Sequence, residues 1–259
     1  MAIINLYKPL GWTPLRAMEQ LRVVHPELKD SKMVYAGRLD PMAEGVLVVL
    51  TDEDRFDHQK LLDAEKEYEA TFLFGYQTDT YDVLGIASKG SGEQGELRGL
   101  KESLGELRGI HKFPFPAYSA YRVKGKPLHW WAQMGRLDEI QIPIKEMEVL
   151  GVSNVRIEKR NSDDVLEDIL RRIKFVHGEF RQDKILKQWP QVLEKEQELT
   201  TVSLTLEVRS GTYIRSLAHE LGQKLGCGGV LLGLKRTSVG DYKIEDSVLL
   251  NRTSENDIK

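Results

Sequence analysis

Three side chains in this sequence have the types and settings that acid chemistry on a planar substrate would need. Asp40 lies in "YAGRLDPMAEGVLVVL", residues 35–50, just ahead of an unbroken apolar run. Pro41 drives the residue before it toward extended geometry, and Gly37 and Gly45 permit tight bends on either side. A carboxylate so placed would stand on a short rigid loop feeding a buried strand, where catalytic groups are often carried. An Asp-Pro pair also starts ordinary turns or caps short helices, and on this stretch alone that reading is the stronger. Arg215, in "RSGTYIRSLAHELG", falls in the first turn of a strong amphipathic pattern. A cation at that helix end is disfavoured by roughly 0.3–1 kcal/mol. A carboxylate partner would offset this and would itself be held ionised. Asp40 is a candidate partner, against the equally common solvated arginine. Tyr68, in "EKEYEATFLFGYQTDTYD", is either a plain strand tyrosine or a ring on which an extruded base could stack.

Other chemistries find no support. The six histidines show neither H-E-x-x-H nor another metal-ligand spacing. Neither G-x-S-x-G nor G-x-x-x-x-G-K-[ST] occurs. "GCGGVLLG", residues 226–233, follows a helix pattern instead of opening one, so its glycines read as a cap and turn. Metal, nucleotide and serine-hydrolase readings are all poor.

Around these residues the pattern supplies elements to hold them. Thr13-Pro14 reads as N-cap and first helical residue, with Leu15, Met18 and Leu21 at helical spacing and Pro26 as the stop. Val46–Leu50 suits a strand buried on both faces. Residues 67–75 alternate with Ala70, Phe72 and Phe74 on one side, as a strand does. Gly90 to Gly95 reads as a flexible connection, and the two "GELRG" copies as helix and turn without a solenoid. A short helix is expected over 127–136 and strands over 147–158 and 202–209. Ile214, Leu217, Ala218, Leu221 and Leu225 form the stripe of a helix over 212–226. The charged, helix-prone segment at about 160–200 is expected to be an insertion packed on the sheet's edge. Strands mixed with helices, without βαβ alternation, indicate an α+β fold.

At 259 residues and 41% hydrophobic, the chain has the composition of a soluble globular protein. No apolar run reaches the roughly 18–20 residues of a membrane span. A start without basic leader and cleavage site, together with the single Cys227, points to a reducing cytoplasm. The net charge of −3 requires any RNA partner to be met by local basic clusters.

Taken together, five ordered motifs resemble the TruB family of tRNA pseudouridine synthases. "NLYKPLGWTP" is similar to its K-P-x-G motif, and "GRLDPMAEGVL" to G-x-L-D-P-x-A-x-G-x-L. "EKEYEATFLFGYQTDTYDVLG" resembles K-x-Y followed by G-x-x-T-D-T-x-D-x-x-G. "FPFPAYSAYRVKGKPLHWWAQMGR" resembles P-P-x-Y-S-A-x-K-x-x-G-x-x-L-Y-x-x-A-R. "VRSGTYIRSLAHELGQKLGCGGVLLGLKRTSVGDY" resembles the closing G-T-Y-I-R block. The likeness runs from about residue 3 to 250, except for 160–200. Tyr35 stands where the family usually has histidine and Arg38 where a small residue is usual; "GRLD" is also reminiscent of the RluA and RsuA families.

The resemblance implies a pseudouridine synthase fold, with a mixed, mostly antiparallel central sheet flanked by helices and loops. One catalytic domain is expected over 1–250 and a tail over 251–259, without the C-terminal PUA domain that many members of the family carry. The implied catalytic residues are Asp40, its partner Arg215, and Tyr68 stacked on a flipped uracil. Leu234 would wall the base pocket, and Tyr35, Arg38, Lys8, Lys124 and Lys126 would meet the RNA. The implied reaction is isomerisation of uridine 55 in the T loop of tRNA, without metal or cofactor; the protein is expected to be a monomer. Competing readings are the same chemistry on another RNA stem-loop and a non-catalytic tRNA chaperone.

Overall fold

A computed structural model of the chain describes residues 3–91, 98–195 and 197–250. The first third runs β1 (Ile3–Lys8), α1 (Pro14–Val24), β2 (Met33–Ala36), β3 (Ala43–Thr51), α2 (His58–Asp63) and β4 (Lys66–Phe74). Short strands β5 (Tyr76–Thr78) and β6 (Ala87–Lys89), then α3 (Leu100–Gly105), β7 (Gly109–Pro114), β8 (Arg122–Val123), β9 (Lys126–Pro127) and α4 (Leu128–Gln133) follow. The rest comprises β10 (Ile144–Asn161), α5 (Ser162–Lys174), α6 (Gln182–Val192), β11 (Glu198–Val208), α7 (Ile214–Lys224), β12 (Gly229–Val239) and β13 (Tyr242–Lys243). Much of the expected Gly90–Gly95 connection lies outside the described residues.

The local reasons are those the residue types supply. Thr13 caps α1 by accepting from the Arg16 amide at 3.2 Å, and Pro14 opens the helix without a wasted donor. Asn161 caps α5 in the same way, from the Asp163 amide at 2.8 Å. Gly226 and Gly228, both at positive φ, turn the chain out of α7 into β12.

The main sheet is mixed and mostly antiparallel, in the order β1-β3-β12-β4-β11-β10-β7; among the described strands of this sheet only β3 and β12 pair in parallel. Tyr68, Ala70, Phe72 and Phe74 of β4 face a core shared with Leu204, Leu206, α3 and α7. Leu73, Val230 and Leu232 point to the opposite face. There Ile169, Ile173, Ile185 and the fully buried Trp189 cover them. This corrects the expectation for residues 160–200: α5 and α6 do not lie along an edge but close one face of the sheet. Their apolar stripes read as amphipathic from the sequence, but only the strand order tells which surface they meet.

One feature of the topology places the site. Strand β3 pairs β1 along one side, whereas its other side changes partner: Ala43–Gly45 pair β12 and Val48–Thr51 pair β2. The loop from β2 to β3, which carries Asp40, springs from that fork.

Candidate active site

The fork leaves backbone carbonyls without a neighbouring strand, and a buried polar group needs a partner. Arg236 of β12 supplies it. Its Nε donates to the Val46 carbonyl at 2.7 Å, Nη2 to that of Gly37 at 3.2 Å and Nη1 to that of Arg38 at 3.5 Å. Gly45 (φ +106°) lets this strand approach, since an added Cβ would lie 2.2 Å from the Arg236 carbonyl oxygen. The Ala43 amide closes the Asp40 turn at 3.0 Å, and the Gly11 amide donates to the Pro41 carbonyl at 2.8 Å. The Asp40 loop is thus held from both flanks by hydrogen bonds.

Arg215 enters from the first turn of α7. Its Nε donates to Asp40 Oδ2 at 3.0 Å, Nη1 to the Thr80 carbonyl at 2.9 Å and Nη2 to the Tyr118 carbonyl at 3.1 Å. The guanidinium side chain is 5% exposed and the carboxylate 35%. Burial alone would push the Arg215 pKa down; Asp40, then Asp82, outweigh it and hold the group above its ordinary value. The guanidinium is therefore fixed within the protein while the carboxylate keeps partial access to solvent. Such a carboxylate can serve as nucleophile or base without reorganising its partner.

Tyr68 of β4 is buried in the cluster containing Leu39, Ala43 and Ile214, the neighbours of Asp40 and Arg215. Leu234 packs against this cluster and lies opposite both Ala70 and Ala43 in register. The structure thus gathers Asp40, Arg215, Tyr68 and Leu234 in one region. Arg38 is exposed within the Asp40 loop. Tyr35 is half-buried against the Leu6 and Trp12 cluster, and its carbonyl meets His58 Nε2 at 3.1 Å. Lys124 and Lys126 project from the β8–β9 hairpin. Lys124 Nζ donates to the Glu139 carbonyl at 3.0 Å, and Lys126 Nζ sits 5.3 Å from the Trp130 ring centre.

Lys8 requires a correction. Expected to meet substrate, it is fully buried, and Nζ donates to the carbonyls of Pro9 at 3.0 Å and Trp12 at 2.7 Å. Burial pushes its pKa down to about 7, opposed by Asp40. Its place is behind the Asp40 loop, where it ties the 9–12 turn together, and no substrate can reach it there.

Sequence reasoning missed two residues. Asp82 is buried and accepts from Thr80 Oγ1 at 2.8 Å and the Leu84 amide at 3.0 Å. Burial raises its pKa to about 6, Arg215 opposing and Asp40 reinforcing the rise. Its signal was "TDTYD", a run of hydroxyl and acid residues directly after an apolar strand. The second, Arg236, is hidden because β12 carries register shifts at Leu231/Gly233 and Arg236/Ser238. Simple alternation then cannot assign its face. Among the described residues no group of three or more His, Cys, Asp or Glu is placed to hold a metal.

The fold has counterparts among solved structures. A chain of a Cbf5-Nop10-Gar1 complex superposes with a TM-score of 0.56 at 24% identity, covering 96% of this chain and 52% of that one. The Cbf5 chain of an archaeal box H/ACA Nop10-Cbf5 complex gives 0.53 at 22% identity, covering 96% and 51%. An antiparallel-rich mixed sheet with helices on both faces and an acidic loop at its fork is here the pseudouridine synthase fold.

Sequence narrows the class further. The "TruB family pseudouridylate synthase (N terminal domain)" matches residues 25–180, and the "tRNA pseudouridylate synthase B C-terminal domain" matches 215–255. The tRNA pseudouridine synthase B of Syntrophomonas wolfei is 32% identical over 248 residues, 96% of this chain and 70% of that protein. That of Aromatoleum aromaticum is 31% identical, covering 96% and 66%, and that of Clostridium kluyveri 29%, covering 99% and 74%. The chain belongs to the TruB family. It spans about two thirds of the length of these relatives and about half that of the solved chains.

Proposed function

We propose that this protein converts uridine to pseudouridine in tRNA, at position 55 of the T loop, with Asp40 as the catalytic carboxylate. The observation that carries the reading is the half-open Asp40 held at 3.0 Å by a buried Arg215. Family membership supplies the reaction class, and the half-open carboxylate is suited to it.

The target base is stacked within its loop, so it must be extruded at a cost of a few kcal/mol. Tyr68 and Leu234 offer apolar surface for the everted ring beside Asp40. With Asp40 acting on the nucleotide, the N1–C1′ bond breaks and its electron pair leaves with the uracil. The ring turns within the pocket, C5 bonds to C1′, a proton leaves C5 and N1 gains one. Atoms and electrons balance without redox change, so no cofactor is called for. Arg215 keeps the carboxylate oriented through the sequence. Arg38, next but one to Asp40, and the Arg122, Lys124 and Lys126 hairpin offer exposed cations for phosphate.

The test is incubation of the purified chain with unmodified tRNA transcript, followed by mass-shift labelling of pseudouridine at every uridine. Product at the T loop supports the reading; product elsewhere transfers the same chemistry to another stem-loop. Asp40→Asn should abolish turnover and leave tRNA affinity within about twofold, because the side chain's volume is kept. An active Asn variant refutes the assigned role.

A further inference from the structure

Segment Phe175–Arg181, which joins α5 to α6, touches the supports of both members of the Asp40–Arg215 pair. On the Asp40 side, the His177 amide donates to the Gly11 carbonyl at 3.0 Å. Gly11 (φ +87°) lies so close to Phe175 that a Cβ would come within 1.9 Å of its carbonyl oxygen. Gly11 in turn donates to the Pro41 carbonyl at 2.8 Å, one residue beyond Asp40.

On the Arg215 side, Arg181 Nη1 donates to Asp79 Oδ2 at 2.7 Å and Nη2 to Oδ1 at 3.3 Å. The same guanidinium lies 4.6 Å from the Tyr118 ring centre. Asp79 immediately precedes Thr80. Thr80 and Tyr118 present the two carbonyls that accept from Arg215 Nη1 and Nη2. These carbonyls are 38 residues apart in sequence, 118 minus 80, and Arg181 is one side chain that binds beside both.

We infer that Arg181 is a positioning residue for the Asp40–Arg215 pair. It clamps the 79–80 and 118 backbones so that their carbonyls fix the Arg215 guanidinium. The 160–200 segment then has a role beyond covering the sheet: its linker braces the catalytic loop through Gly11 and the arginine through Arg181. A paired guanidinium and carboxylate suit this task, since the bidentate fork fixes angle as well as distance. Arg181 does not itself touch the reacting atoms. Misplacement of a catalytic group by even 1 Å can cost about 100-fold in rate, so a modest loosening is measurable. The effect on turnover rests on the isomerase reading above.

The experiment compares Arg181→Gln, Asp79→Asn and their double variant with wild type. Lys184→Gln, which removes an exposed charge from the first turn of the helix that Arg181 precedes, serves as control. All are assayed well below their melting temperatures. Each single variant is expected to lower kcat about 10-fold while tRNA Kd stays within about twofold. The double variant should be no worse than the poorer single one, because both changes cut one link. Lys184→Gln should keep wild-type kcat, and Arg181→Lys should recover part of the loss. Wild-type kcat in Arg181→Gln would overturn the inference. So would a rise in KM alone with Asp79→Asn unaffected, the mark of a phosphate contact. Should wild type form no pseudouridine, the isomerase reading falls separately, and the Arg215 Nε–Hε resonance decides the positioning claim. Its protection from solvent exchange is expected to drop about 10-fold in Arg181→Gln; unchanged protection would sink the proposal.

Discussion

Arg215 and Asp40 form an asymmetric pair: the guanidinium is 5% exposed and the carboxylate 35%. The asymmetry follows from where each is anchored, one on the buried side of a helix and the other at a sheet fork. Because three groups accept from Arg215, the side chain cannot be replaced by a point charge. Arg215→Lys keeps the charge but reaches at most part of Asp40, Thr80 O and Tyr118 O. Turnover should fall about 100-fold or more, with tRNA binding little altered. Arg215→Met should also cost about 2–5 kcal/mol of stability, since one buried carbonyl, one half-buried carbonyl and one carboxylate lose their donor. Single-turnover kinetics and urea melts check the two halves separately.

Asp82 sets a pH dependence of stability. Its carboxyl is raised from 3.8 to about 6 in the folded chain, mainly by burial. Between those values the folded state holds a proton that the unfolded state has released. Unfolding therefore releases a proton there, and stability contributed by this group falls as pH rises from about 4 to about 6, then levels off. The difference is on the order of 2–3 kcal/mol. Asp82→Asn keeps an acceptor for Thr80 and Leu84 and removes the titration. Urea unfolding from pH 4 to 7 should show a slope in wild type that the variant lacks; parallel curves would rule the assignment out.

How far the sequence led depends on the range of the interactions. Thr13-Pro14, the alternation through Phe72 and Phe74, and the α7 stripe are local patterns, and the structure realises each. The pairing of Asp40 with Arg215 spans 175 residues. It was only one candidate from helix-dipole reasoning, and the motif order of the family sharpened it. Lys8 was misplaced because a lysine in a short motif reads as exposed, whereas two carbonyls of the 9–12 turn draw it inside. Arg236 was missed because its role, satisfying carbonyls at a fork, exists only once β2 and β12 share one edge of β3. The helices after Asn161 were legible as helices, but their seat on the sheet face depends on strand order.

That seat makes a prediction about Trp189. Its ring is fully buried against Leu73, Val83 and Val230, and Nε1 donates to the Val83 carbonyl at 3.0 Å. Trp189→Ala removes a large core side chain and orphans a carbonyl, at about 3–5 kcal/mol. Because α5 and α6 share a core with β4 and β12, they should melt with the sheet. Far-UV dichroism and fluorescence of the wild type should give coincident urea transitions. An early transition confined to the helical signal would show the segment folding as a separate unit.

At Gly45 the fork leaves no room for a side chain. Its φ of +106° is one that L residues rarely adopt, and a Cβ would sit 2.2 Å from the backbone oxygen of Arg236. Backbone cannot swing aside as a flexible side chain can, so β3 and β12 must part locally. Gly45→Ala should therefore cost at least about 2 kcal/mol. It should also lower turnover, because the same displacement moves Arg236 off the Gly37 and Val46 carbonyls that hold the Asp40 loop. Gly105→Ala is the matched control. It ends α3 with nothing within 4 Å of the added Cβ, so helix propensity should leave it neutral or about 0.5–1 kcal/mol more stable. Melting temperatures and kcat of the two variants separate the cases. Equal behaviour would mean that the close approach of β3 to Arg236 does not hold the catalytic loop.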